Sequence, residues 1–126
     1  MEIKNKRIVV TGATSGIGLE LVKAFSTIEG TRIVASGRKI ENIPHAENIY
    51  AFKADVSQPD EVDALFNFSI EKFGGIDIFI ANAGFAYYGK FNNTDWNHVN
   101  NIFSTNVVSP LYSLAKMIDL NPVNEF

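Results

Sequence analysis

Cysteine is absent from the 126-residue chain. That excludes a disulfide framework and thiolate chemistry, and it suits a reducing cytoplasm. Basic charge is also scarce: 11 Lys and Arg against 14 Asp and Glu give a formal net charge of -3, with a pI near 5.3. Such a balance offers no broad positive surface for nucleic acid or an anionic membrane, although a small anion can still be held locally. The two histidines, His45 and His98, are isolated and lack metal-ligand spacing, so no metal site is expected. No apolar run is long enough to span a bilayer, and the opening "MEIKNKRIVV" is too short for a signal peptide. The expectation is a soluble, untargeted chain without a membrane partner.

What is present suffices for a core: 46% of residues are hydrophobic and 12% aromatic, enough for a single compact domain over residues 1–126. Short apolar runs alternate with amphipathic segments. "RIVVT" (7–11) reads as a strand, and Ile17, Leu21, Val22, Phe25 and Ile28 trace a helix from about Gly16. "RIVAS" (32–36) and "NIYAFKAD" (48–55) give two more strands, the second with the mixed polarity of a sheet edge, and the stretch between them reads as loop. Ser57 and Asp60 resemble a capping box for a helix that runs to Gly74–Gly75. "IDIFIAN" (76–82) is the continuous apolar run of a strand covered on both faces. A final helical period spans about Asp95 to Ile118, with Asn121–Pro122 as its stop. No repeat, low-complexity tract or linker interrupts this order, which predicts an α/β, doubly wound parallel sheet.

The most informative stretch is "VVTGATSGIG" (9–18), a strand, a glycine turn and a helix start, with Gly12, Gly16 and Gly18 spaced as TGxxxGxG. Glycine permits the tight turn and a close approach of backbone to a phosphate, while the helix N-terminus supplies N–H groups and positive potential. A phosphate therefore belongs at the turn formed by Gly12, Thr14, Ser15, Gly16, Ile17 and Gly18.

This spacing resembles the short-chain dehydrogenase/reductase family, and the resemblance continues through "KADV" (53–56), "ANAG" (81–84) and "NVVSP" (106–110), almost the whole chain. It implies a Rossmann-like sheet of strand order 3-2-1-4 and a bound nicotinamide dinucleotide. It further implies that Asp55, with the backbone of Val56 beside it, contacts the adenine, and that Asn82, Ala83 and Gly84 lie close to the cofactor, Asn82 tying the central strands together. At the end of the second strand stand Ser36, Gly37 and Arg38 with no acid. Arg38 can pair a 2′-phosphate bidentately, helped by the hydroxyls of Thr14 or Ser15, so NADP(H) is favoured and NAD(H) stays possible. Asn106 matches the family's helix asparagine, whose carbonyl holds a water leading protons to the catalytic lysine. Pro110, having no N–H, would leave that carbonyl without its helical donor.

"YSLAK", Tyr112 to Lys116, imitates the family's catalytic Tyr-xxx-Lys, but it lies on the same helix as Asn106, with no room for an intervening strand and its serine. The expectation is a packing pair, with Tyr112 beside the apolar stripe and Lys116 nearer solvent. The chain then corresponds to the family's cofactor-binding portion, truncated before its catalytic half. Three readings follow: part of an NADP(H)-dependent oxidoreductase acting on an alcohol or carbonyl, a non-catalytic dinucleotide-binding module or sensor, or a remnant that binds nothing tightly. The fourth strand, with Ile76, Ile78, Phe79 and Ile80, becomes an apolar edge, and the last helix loses a neighbour. A homo-oligomer joined through either is the expected consequence.

Overall fold

The computed structural model describes residues 1–84 and 95–122. Four strands, β1 (Arg7–Val10), β2 (Arg32–Gly37), β3 (Ile49–Lys53) and β4 (Ile78–Ile80), form one parallel sheet of order β3-β2-β1-β4. The register sets Val9 beside Val34 on one side and beside Phe79 on the other. Alternation along β1 divides the core. Ile8 and Val10 join Ile33, Ala35 and Val22, on the face covered by α1 (Gly16–Ser26), while Val9 and Val34 meet Val62, Leu65 and Phe66 of α2 (Pro59–Phe73) on the other. Both faces of β1 and β2 are thus sealed, and Ile8, Val9, Val10, Ile33 and Val34 are fully buried.

β3 has the mixed character expected of an edge: Tyr50 packs on Phe73 and Phe52 on Phe68, while Ala51 and Lys53 are exposed. The connection from β2 to β3 holds no helix. α2 ends where the glycine pair implied, at Gly74 with φ +78°, its N–H donating to Ile70 O at 2.7 Å. Its start differs from expectation. Pro59 opens the helix after Gln58, whose side chain makes no cap, and Ser57 instead donates its amide and hydroxyl to Asp55 Oδ1 at 3.0 and 2.7 Å. Ser57 and Asp60 therefore form no capping box. Glu61 in the first turn reaches back to accept from the Asp55 amide at 3.0 Å.

β4 is shorter than its apolar run. Ile76, expected on an open edge, is 1% exposed and packed in the α2-side core. An ion pair precedes the strand: Arg7 donates Nε and Nη2 to the two carboxylate oxygens of Asp77 at 2.9 and 2.8 Å, and its backbone amide to Oδ2 at 2.8 Å. This bidentate contact fastens the start of β1 to the start of β4.

The last helical stretch is divided into α3 (Trp96–Phe103), a π-helical turn (Ser104–Val108) and α4 (Ser109–Leu120). Pro110 cannot donate to a carbonyl four residues back, and the chain widens just before it, Ser109 N–H reaching Ser104 O. The single helix expected over 95–118 is therefore one course with a π turn inside it. Asp95 caps its start, accepting from the Asn97 amide at 3.0 Å. α3 buries no residue, and the buried residues beyond it are the hydroxyl-bearing Thr105, Ser109 and Ser113. Phe103, Val107, Val108, Leu111, Leu114 and Ile118 are exposed large hydrophobics. No helix among the described residues is long and apolar enough to cross a membrane.

Candidate functional site

A cleft opens at the carboxyl ends of the strands, where an open parallel sheet places its ligand sites. From the glycine turn it is lined by Gly12, Thr14 and Ser15, from the end of β2 by Ser36, Gly37 and Arg38. Ala54, Asp55 and Val56 follow β3, Asn82, Ala83 and Gly84 follow β4, and Asn101 and Thr105 reach in from the last helical course.

The turn is built by close backbone packing. A Cβ at Gly18 would stand 2.1 Å from Gly12 O and 2.5 Å from Asn82 Nδ2, and one at Gly12, where φ is +63°, would stand 2.9 Å from Ala83 Cα. Only glycine fits either position. Gly16 differs: its φ is +54°, but nothing lies within 4 Å of its Cβ position, so conformation rather than space requires glycine there. Ser15, extended at φ -160°, precedes α1 without capping it by its side chain, and Ile17 in the first turn is 72% exposed. The opening amides of α1, which have no intrahelical acceptor by construction, thus lack a side-chain cap from Ser15.

The strand ends are held by two side chains. Asn82 Nδ2 donates to Gly12 O at 3.1 Å. Thr11 Oγ1 accepts from the amides of Asn82 and Ala83, both at 3.1 Å, and donates to Ile80 O at 3.4 Å. Asn82 does tie the central strands, and Thr11, which motif reasoning treated only as the end of a strand, shares that work. Its place as the threonine of TGxxxGxG was the available signal. Ser36, Asn101 and Thr105 were not singled out either. Ser36 is fully buried, and its Oγ has no hydrogen-bond partner among the described residues.

Gly12, Thr14, Ser15, Arg38, Asp55, Val56, Asn82, Ala83 and Gly84 are thus brought around one cleft. Gly16, Ile17 and Gly18 sit just behind at the helix start, and Asn106 lies on the π turn with its Oδ1 3.1 Å from the Cβ position of Gly84.

Tyr112 and Lys116 lie outside this cleft. Both bind Asp63 of α2: Tyr112 Oη donates to Asp63 Oδ1 at 2.6 Å and Lys116 Nζ lies 2.7 Å from the same oxygen. The Lys116 and Tyr112 hydrogen bonds hold the Asp63 carboxyl below the usual carboxylate range, and Asp63 in turn pushes the Tyr112 phenol up. A tyrosine acting as a proton donor and acceptor near neutral pH needs the opposite shift. The pair packs α4 on α2, though with the sides exchanged from expectation. Lys116 is the more covered, over the rings of Phe66 and Tyr112, and Tyr112 is 36% exposed.

The family model described as short chain dehydrogenase matches residues 6–120. The chain belongs to the short-chain dehydrogenase family. An uncharacterized oxidoreductase of Staphylococcus saprophyticus is 31% identical over 125 residues, covering 92% of this chain and 49% of the relative. The solved 3-ketoacyl-(acyl-carrier-protein) reductase of Brucella melitensis, complexed with NADH, superposes with a TM-score of 0.86 at 26% identity over 94% of this chain and 51% of that one. A short chain dehydrogenase from Burkholderia cenocepacia, solved with NADP, shares the fold with a TM-score of 0.84 at 22% identity, over 95% and 52% of the two chains. The chain spans about half the length of the curated relatives it matches. Solved neighbours in this family hold nicotinamide dinucleotides of both kinds.

Proposed function

We propose that this short-chain dehydrogenase chain is the cofactor-binding portion of an oxidoreductase acting on an alcohol or carbonyl, and that it binds NADP(H) in preference to NAD(H). The observation that carries the reading is the cleft between the glycine turn and Arg38, with no acidic side chain at the end of β2. The residues fit the group. Pyrophosphate suits the opening amides of α1, the adenine suits Asp55 and Val56, and the 2′-phosphate suits Arg38 with Thr14 or Ser15. Bound there, the cofactor would supply or accept a hydride. The chain's own part is to bind and orient it, with Asn106 kept as the group that carries a water toward proton-transfer residues supplied by the rest of the oxidoreductase.

Calorimetric titration tests this directly. Arg38→Ala should weaken NADP+ by about 1.5–3 kcal/mol, the worth of a charge-assisted contact, and leave NAD+ nearly unchanged. Equal affinity of the unmutated chain for both would overturn the preference.

The chain alone is proposed to give no turnover. Tyr112 and Lys116, the one Tyr-xxx-Lys present, are engaged with Asp63 outside the cleft. An absorbance change with simple alcohols or ketones that Tyr112→Phe abolishes would refute this. The same observation favours, as a second reading, a non-catalytic dinucleotide-binding module. A cytoplasmic setting and self-association through the β4 edge or the exposed stripe of α4 complete the proposal.

A further inference from the structure

One carboxylate oxygen joins α2 to α4. Asp63 Oδ1 accepts from Tyr112 Oη at 2.6 Å and lies 2.7 Å from Lys116 Nζ. The Lys116 ammonium also stands 5.5 Å from the centroid of the Phe66 ring. Asp63 and Phe66 are three apart on α2, and Tyr112 and Lys116 are four apart on α4, so each pair shares one face of its helix. A single contact lets a helix roll about it, whereas two contacts one turn apart fix both the roll and the height of α4 against α2. Apolar shape does little of this work. The buried residues of the π turn and α4 are Thr105, Ser109 and Ser113, small side chains four apart on one face. Met117, the α4 side chain packed on the α2-side core, is a flexible one.

The helical course runs unbroken from α4 through the π turn into α3, and Thr105, on the same inward face as Ser109 and Ser113, lines the cleft together with Asn101. We infer that Asp63 is a positioning residue for this wall: by gripping Tyr112 and Lys116 it sets where Asn101 and Thr105 stand toward a bound dinucleotide. Asp63 is not itself among the residues that line the cleft, so it acts only through the helix it holds. The inference rests on the dinucleotide reading above, and it gives the Tyr-xxx-Lys pair a mechanical part in binding at a distance from the cofactor.

The test removes the grip with Asp63→Ala and reads the chain with and without ligand. Without ligand, native-state hydrogen exchange should quicken about ten-fold at the amides of the π turn and α4 and stay unchanged in β1 and β2. In calorimetric titration, Asp63→Ala should weaken NADP+ roughly three- to ten-fold. Thr105→Val should lose much of its own effect on binding in the Asp63→Ala background, while Arg38→Ala, on the opposite wall, should keep its full effect there. A residue that merely stabilised the fold would quicken β1 and β2 as much as α4 and would leave both pairs of substitutions additive. Either of those results overturns the inference, as does exchange in α4 that ignores Asp63→Ala. An unmutated chain that binds neither NADP+ nor NAD+ overturns instead the dinucleotide reading, and the exchange pattern alone then decides whether Asp63 holds the wall.

Discussion

The glycine turn and the last helical course form opposite walls of one cleft, and they are built by different means. The turn is closed by backbone on backbone: Gly12 and Gly18 have no room for a side chain, and Thr11 and Asn82 bond the strand ends together. The α3–α4 course rests instead on small buried hydroxyl residues and the Asp63 cluster, and it turns a row of large hydrophobics outward. The first wall is specified by atoms within the chain. The second has the composition of a surface that something else covers.

The comparison can be broken most forcefully at Gly18. Gly18→Ala should destabilise the fold by about 3 kcal/mol or more, because the clash is with a backbone carbonyl rather than a movable side chain, and denaturant midpoints would read it. Gly16→Ala, with open space but positive φ, should lose only about 1–2 kcal/mol. If the two cost the same, the closed packing of the turn is not what holds that wall.

Asp77 tests the far end of the same strand pair. Its hydrogen bond with Arg7 holds the carboxyl below its ordinary value. The pair therefore stabilises the fold above the unfolded-state pKa, near about 3.9, and its contribution disappears as pH falls through the depressed folded value. Asp77→Asn should lose about 1–2 kcal/mol at neutral pH, a figure reduced for partial exposure, and the gap from the unmutated chain should close as pH drops below about 4. A gap constant from pH 7 to pH 2 in urea melts would contradict that assignment.

The smallest effect on stability is expected at the second wall. Leu111 is 62% exposed, so Leu111→Lys should change folding stability by no more than about 0.5 kcal/mol, yet weaken self-association. Sedimentation equilibrium across micromolar concentrations reads both states. A folded unmutated species that stays at 13.9 kDa throughout would remove self-association as the means of covering the stripe.

Much of the first wall was legible because its causes are local. Short apolar runs marked β1 and β2, the glycine spacing marked the turn, and Gly74 marked the end of α2, each acting within a few residues. The short-chain dehydrogenase pattern then implied the strand order. What stayed hidden depends on competition between local hydrogen bonds, or on partners distant in sequence. Ser57 had the makings of a cap, but Asp55 takes its hydroxyl and Pro59 starts the helix beyond it. The π turn before Pro110 has no periodic signature of its own. Lys116 is drawn inward by Asp63 and the Phe66 ring, both on α2, which the periodicity of its own helix could not supply. Likewise, the lack of room for a side chain at Gly37, where a Cβ would stand 2.4 Å from Thr14 Cγ2, arises only once the end of β2 lies beside the turn.

The fastening of β4 to β1 has a consequence for the order of folding. Arg7 and Asp77 are 70 positions apart, and Thr11 and Asn82 are 71. Closing a loop of that length carries an entropy cost of about 4 kcal/mol before its contacts begin to compensate. β1 and β2 are joined through α1 by a far shorter path, so they are expected to pair first, with β4 docking afterwards. During synthesis the phosphate turn would then stay unbraced on one side until residue 83 has emerged. Pulse-labelled hydrogen exchange should show the amides of β2 protected earlier than those of Asn82 and Ala83. Simultaneous protection would mean that the sheet closes in a single step.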